Sequence, residues 1–209
     1  TITPKKIDIS ELDTETSLLA KKIKVAKNYG LEVHFIDLTS DIPVPVCGCV
    51  LVDRTSGQYN LAFGASSGFF IEEVLLHAFS EALSIISSKK PTPYNLPKEY
   101  LPFSDYELAR QERAYLYRTK DGYDHAQFLF ASQDYITPRE IVSQTDKIKK
   151  IVTSSQQLEY LSQVFKKRKK KNKDYNVFIA RIKNEIVDKL QFFIVKVVCD
   201  GLYPMYLRE

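Results

Sequence analysis

Residues 64–88, GASSGFFIEEVLLHAFSEALSIISS, constrain the fold more than any other stretch. They read as a small-residue turn opening into a strongly apolar helix. Apolar side chains recur too densely for a half-exposed helix, yet Glu73, His77, Glu81 and Ser84 stand at i, i+4, i+8 and i+11 and share one stripe. Such a stripe either meets solvent or lines a cleft, and the small-residue run favours the cleft. Gly64, Ala65, Ser66, Ser67 and Gly68 would let backbone N–H groups and a helix N-terminus face an anion. No Walker lysine follows, and no G-x-G-x-x-G occurs.

The chain has 209 residues, 44% hydrophobic and 27% charged, enough for a substantial core. No run of about 18 apolar residues is present, and TITPKKIDIS has no signal-peptide pattern, so a cytoplasmic protein without membrane insertion is expected. Cys47, Cys49 and Cys199 lack the spacing of a disulfide framework or a zinc ribbon. In a strand, Cys47 and Cys49 would point the same way as small buried side chains. The net charge of +4 is concentrated in KKRKKKNK at 166–173, without which the chain is slightly acidic. That run reads first as the basic end of a helix followed by a solvated loop. A nucleic-acid interface ranks behind it.

Along the chain, Ser10 and Asp13 form a weak capping box before a helical face of Leu12, Leu18, Leu19, Ile23 and Ala26 that ends at Gly30. LEVHFIDL then reads as a strand. DIPVP breaks the ladder, and VCGCVLVD and QYNLAF form a hairpin around Arg54–Gly57. KKPTPYNLP must be a loop, and FSDYELARQERAYLYRT has helical spacing with Ser104 or Asp105 as its cap. DHAQFLFA fits a short strand or a helical turn. Thr137 and Pro138 open another helix, and a further helix spans about Ser155 to Phe165. DYNVFIARI and QFFIVKVVC read as strands flanking a helical or turn segment at Asn184–Leu190. The alternation gives an α+β (mixed α/β) domain, a sheet with packed helices.

The order of these pieces resembles the C-terminal half of a YcaO-type domain. The resemblance rests on Asp37, Leu38, Thr39, Pro45 and Val46; on Gly64, Ala65 and Ser66; on Glu73, Val74, Leu75, Ala78, Phe79 and Glu81; and on Gly201, Leu202 and Pro204. The sequence departs from the family at His77, where an arginine is frequent, at Ser84, where glutamine is common, and at Asp200, where proline is usual. The S-x-x-x-E-x-x-E-R helix of the family's N-terminal half does not occur. Residues 1–209 are therefore expected to be one domain forming the C-terminal part of a larger one.

The resemblance implies ATP and Mg2+ as cofactors and activation of peptide backbone amides, giving azolines, thioamides or amidines, as in bacteriocin biosynthesis. It implies Ser66, Glu73, His77 and Glu81 as cofactor-binding residues, with Glu73 and Glu81 as metal ligands, and assigns no catalytic residue. A precursor peptide is the implied partner, with a peptide-delivering protein as a further one; a homodimer stays open. Arg110 and Arg113 would reach phosphate, but pairing with Glu107 and Glu112 is the simpler reading. The competing reading is a non-catalytic YcaO-like protein that binds a precursor peptide or a partner enzyme. Thirteen tyrosines and twelve phenylalanines suit such a surface.

Overall fold

The computed structural model describes residues 4–12, 16–40, 42–55, 60–87, 120–144, 151–169, 177–182, 189 and 194–199. The described residues divide into two compact units, one up to Ile151 and one from Val152 onward. The expected loop at 89–97, the helix after it with Ser104, Asp105, Arg110 and Arg113, and the C-terminal Asp200, Gly201, Leu202 and Pro204 lie outside them.

The first unit is built on a five-stranded sheet in the order β4-β3-β2-β1-β5. Its strands are β1 (Lys6–Ile7), β2 (Leu31–Asp37), β3 (Val46–Asp53), β4 (Asn60–Ser67) and β5 (Tyr135–Ile136). Neighbours pair antiparallel except β1 with β5, which run parallel. β3 is buried almost from end to end, as a central strand covered on both faces must be, and its hydrophobic run shows it.

Alternation along β3 sends Cys47, Cys49 and Leu51 to one face and Val50 and Val52 to the other. The first face packs against α1 (Leu18–Asn28) and α2 (Ile71–Ser87). The expected burial of Cys47 and Cys49 holds, both being fully buried. Desolvation, with Asp37 adding to it, pushes the Cys47 thiol up to about 12, and burial pushes Cys49 higher still. Neither is a thiolate nucleophile at neutral pH.

The opposite face is covered by α3 (Lys120–Ala126) and the 3-10 turn Gln127–Leu129, which resolves the DHAQFLFA segment as helical. Tyr123 and Ala126 pack on Val50, Val52 and Leu61. His34 stacks on Phe130 with centroids 5.1 Å apart. Arg54 forks onto Glu32 at 3.1 and 3.2 Å and lies over the Tyr123 ring. The Arg54 hydrogen bond, chiefly, holds Glu32 below the usual carboxylate range. His34 Nε2 sits 3.6 Å from Glu32, beyond hydrogen-bond reach, and desolvation outweighs that carboxylate to hold the imidazole below its ordinary 6.5.

The expected start of the first helix needs correction. α1 begins at Leu18, where the Ser17 hydroxyl accepts the Ala20 N–H; Ser10 instead donates its N–H to Asp8 in a turn of its own. Gly30, with φ of 75°, ends the helix as expected. Thr137 and Glu140 complete a reciprocal capping box for α4 (Pro138–Ser143), with Pro138 in its first turn.

The second unit contains α5 (Ser154–Lys169) and the antiparallel pair β6 (Val177–Ile182) and β7 (Ile194–Cys199). Thr153 and Gln156 exchange hydrogen bonds at the start of α5. The basic run begins inside this helix, which continues to Lys169 instead of ending before it.

The small-residue run is the main correction, because Gly64–Ser67 belong to strand β4 and not to a turn. A Cβ on Gly64 would collide with the Ala78 carbonyl and the Ala82 amide of α2. The glycine is required by a helix lying directly on the strand.

Gly64→Ala should therefore lower unfolding stability by about 2–3 kcal/mol. Gly68→Ala, whose added carbon meets only Val74 Cγ2 at 3.1 Å, should cost less; urea melts of both variants give the comparison. The His34 environment sets a pH dependence. Below about pH 6.5 the unfolded chain takes up a proton that the folded chain resists, so stability present above that pH is lost as pH falls. Replacement by Gln should make the drop in urea midpoint between about pH 7.5 and pH 5.5 smaller than in the parent; an equal drop contradicts this assignment.

Candidate functional site

The site expected from the sequence lies along α2 and the end of β4. Val74, Leu75, Ala78, Phe79 and Ala82 form the buried stripe of α2, and this fixes the rotation of the helix on the sheet. Glu73, His77, Glu81 and Ser84 consequently occupy the exposed side. The stripe read from the sequence is real, and all four of its side chains are exposed. The helix is apolar because one face packs flat against the sheet, and the opposite face carries its polar groups.

Gly64 touches Ala78, Glu81 and Ala82, and Gly68 lies against Val74. Ser66, between these contacts and on the α2 side of the strand by alternation, runs alongside the middle turns of α2 and is half-buried. Ser66, His77 and Glu81 are thus brought to neighbouring levels of one strand–helix layer. Glu73 stands farther along. At about 1.5 Å per residue, it is roughly 12 Å from Glu81 along the axis, so the two cannot share one ion.

The backbone of the small-residue run does not form an open anion nest. Gly68 donates its N–H to the Pro45 carbonyl at 3.1 Å, and Ala65 donates to Glu81 Oε2 at 2.9 Å. The first turn of α2 carries Glu72 and Glu73, whose charges oppose an anion at that terminus. A bare phosphate is therefore a poor match for the α2 terminus.

A cation is a better match. Among the described residues no group of three or more His, Cys, Asp or Glu side chains forms a metal cluster. Mg2+ does not need one, since it binds through one or two carboxylates, with waters and substrate phosphates completing the octahedron. Glu81 suits that mode. One carboxylate oxygen is held by the Ala65 N–H, and no described cation pairs with the group. A metal-binding carboxylate is commonly oriented by a hydrogen bond in this way. The Ala65–Glu81 bond is the element that sequence reading missed; its partners lie sixteen residues apart, and no local spacing signals it.

No described helix is long and apolar enough to cross a membrane. No curated protein sequence matches this chain. Solved structures share the fold, three of them as follows. A heterocyclase in complex with substrate and cofactor superposes with a TM-score of 0.61 at 13% identity, covering 97% of this chain and 24% of its own. The heterocyclase TruD gives 0.57 at 13% identity, with the same two coverages. The E. coli microcin synthetase McbBCD complex with pro-MccB17 bound gives 0.53 at 14% identity, covering 94% of this chain and 44% of the other. The chain thus spans about a quarter of the length of the two heterocyclase chains. These likenesses bear out the mixed α/β architecture of a sheet with packed helices. The family model described as YcaO cyclodehydratase, ATP- and Mg2+-binding, matches residues 1–203, and the chain belongs to the YcaO family.

Proposed function

We propose that this chain contributes part of an ATP- and Mg2+-dependent site that activates peptide backbone amides, in the formation of azolines or thioamides on a ribosomally made precursor. The observation that carries the reading is the Glu81 carboxylate, oriented by the Ala65 N–H and free of any described cation. Glu81 is the preferred metal ligand, and Glu73 contacts a different part of the metal–nucleotide assembly. Ser66 and His77 flank them as polar contacts to the nucleotide. Glu81 would hold Mg2+, and the chemistry the ion would supply there is neutralisation of charge during phosphoryl transfer. The protein's part is to hold Glu81 at a fixed level of α2, through Gly64 packing and the Ala65 bond.

The family description supports ATP and Mg2+, and the neighbouring structures support a peptide substrate and partner proteins by what they contain. A second reading, a non-catalytic peptide- or partner-binding protein, draws on the openness of the α2 stripe and on His77 and Ser84 standing where the family differs. An azoline-forming or thioamide-forming role places the protein in the cytoplasm, beside its precursor peptide.

Mg2+-dependent nucleotide binding and precursor-stimulated ATP hydrolysis test the proposal, in this chain and in the longest native polypeptide that carries it. Glu81→Gln should lower hydrolysis by about tenfold or more, equivalent to about 1.4 kcal/mol or more, with the unfolding midpoint nearly unchanged. Glu73→Gln should have the smaller effect. An unchanged rate in Glu81→Gln removes the metal assignment, and peptide binding without any nucleotide effect establishes the second reading.

A further inference from the structure

Helix α1 has more apolar surface than its place on the sheet uses. Leu19, Ile23 and Ala26 are buried in the core, as a single stripe requires. Leu18, Val25 and Tyr29 form a second stripe, at i, i+7 and i+11, that is 56%, 54% and 75% exposed. Beside it, between α1 and α2, runs an open groove of about 410 Å3 with Ala26, Leu31, Phe79 and Leu83 at its base. Lys21 and Lys22 stand on its wall.

The charge on α1 is of one sign. The sequence of α1, LLAKKIKVAKN, has four lysines and no acidic residue. None of the four forms an ion pair with a described residue. Lys24 and Lys27 line a second depression on the other flank of the same helix. An apolar trough walled by unpaired ammonium groups is complementary to a segment with apolar side chains along one face and carboxylates beside them. The concave shape favours a helix laid into the groove over a flat bilayer, which would contact only the raised stripe.

We propose that the α1–α2 groove is a docking site for an acidic amphipathic segment of a partner polypeptide. Leu18, Val25 and Tyr29 supply the apolar contact and Lys21 and Lys22 select the charge. The inference is independent of the nucleotide site, because it uses the α1 side of α2 and none of Glu73, His77 or Glu81.

The test uses the full chain and a fluorescein-labelled synthetic helix with leucines at i, i+3, i+4 and i+7 and glutamates elsewhere. A matched helix with lysines in place of the glutamates serves as the comparison. Anisotropy should show saturable binding of the glutamate helix only, weakened by added salt. The pair Lys21→Glu and Lys22→Glu should weaken it about tenfold or more, as should Val25→Ser with Tyr29→Ser. These positions are exposed, so the unfolding midpoint should hold. Lys166→Glu with Lys167→Glu, in the separate basic run, should change it little. Binding lost only with the lysine-run variant assigns the interaction elsewhere and overturns the proposal. So does equal affinity for the two helices, or binding to phosphatidylglycerol vesicles with no binding of the glutamate helix.

Discussion

The close approach of α2 to β4 governs the rest of the first unit. With no Cβ at Gly64, the helix backbone at Ala78 and Ala82 comes down onto the strand. That proximity buries Val74, Leu75, Ala78, Phe79 and Ala82 in one layer with Cys47, Cys49 and Leu51. Dense packing of this kind leaves little freedom to rotate the helix, since any turn about its axis exposes an apolar side chain or forces Glu81 into the sheet. The position of the acidic stripe is therefore set by the buried one. The Ala65–Glu81 hydrogen bond adds a second constraint at the same level and fixes a side chain as well as a backbone.

The two faces of the sheet do different work. On the α1–α2 face the interior is apolar and its two thiols are kept protonated by desolvation, so the buried middle of that face supplies rigidity and no thiolate nucleophile. The other face mixes apolar packing with the Glu32–Arg54 pair, the Arg54–Tyr123 contact and the His34–Phe130 stack. The ion pair is half-exposed and contributes modestly to stability. Its larger effect is geometric, because the fork spans β2 and the end of β3 and helps hold them in register.

Much of this arrangement was legible from periodicity. VCGCVLVD reads as a strand of a hairpin, which β3 and β4 are, and the stripe of Glu73, His77, Glu81 and Ser84 follows from spacing alone. The misreadings share one cause, which is that local propensity was overridden by tertiary contact. Glycine, alanine and serine at 64–67 look like a turn because none favours a strand, yet pairing with β3 and the pressure of α2 make strand the only conformation that fits. Ser10 reads as the cap by its spacing to Asp13, but its N–H goes to Asp8 in a local turn and the Ser17 hydroxyl caps α1 seven residues later. The order of segments across 203 matched residues exposed the family because it samples the whole fold, whereas each motif samples a few contacts. The candidate site was less legible. Sequence gives the face on which a carboxylate stands, but not which backbone group orients it.

Charge is segregated between the two helices on this face. α1 carries only lysines, and α2 carries Glu72, Glu73 and Glu81 with no lysine or arginine. No described residue of one helix forms an ion pair with the other. Unneutralised rows of opposite sign sustain a field across the surface that reaches roughly a Debye length, about 8–10 Å, at physiological salt. The field orders events at α2. A triphosphate at the stripe without metal would meet the unpaired carboxylates of Glu73 and Glu81, whereas a cation would be drawn in. On the function proposed above, a nucleotide at this stripe would be taken together with its cation, so that Mg2+ would be a condition of binding as well as an aid to the chemistry.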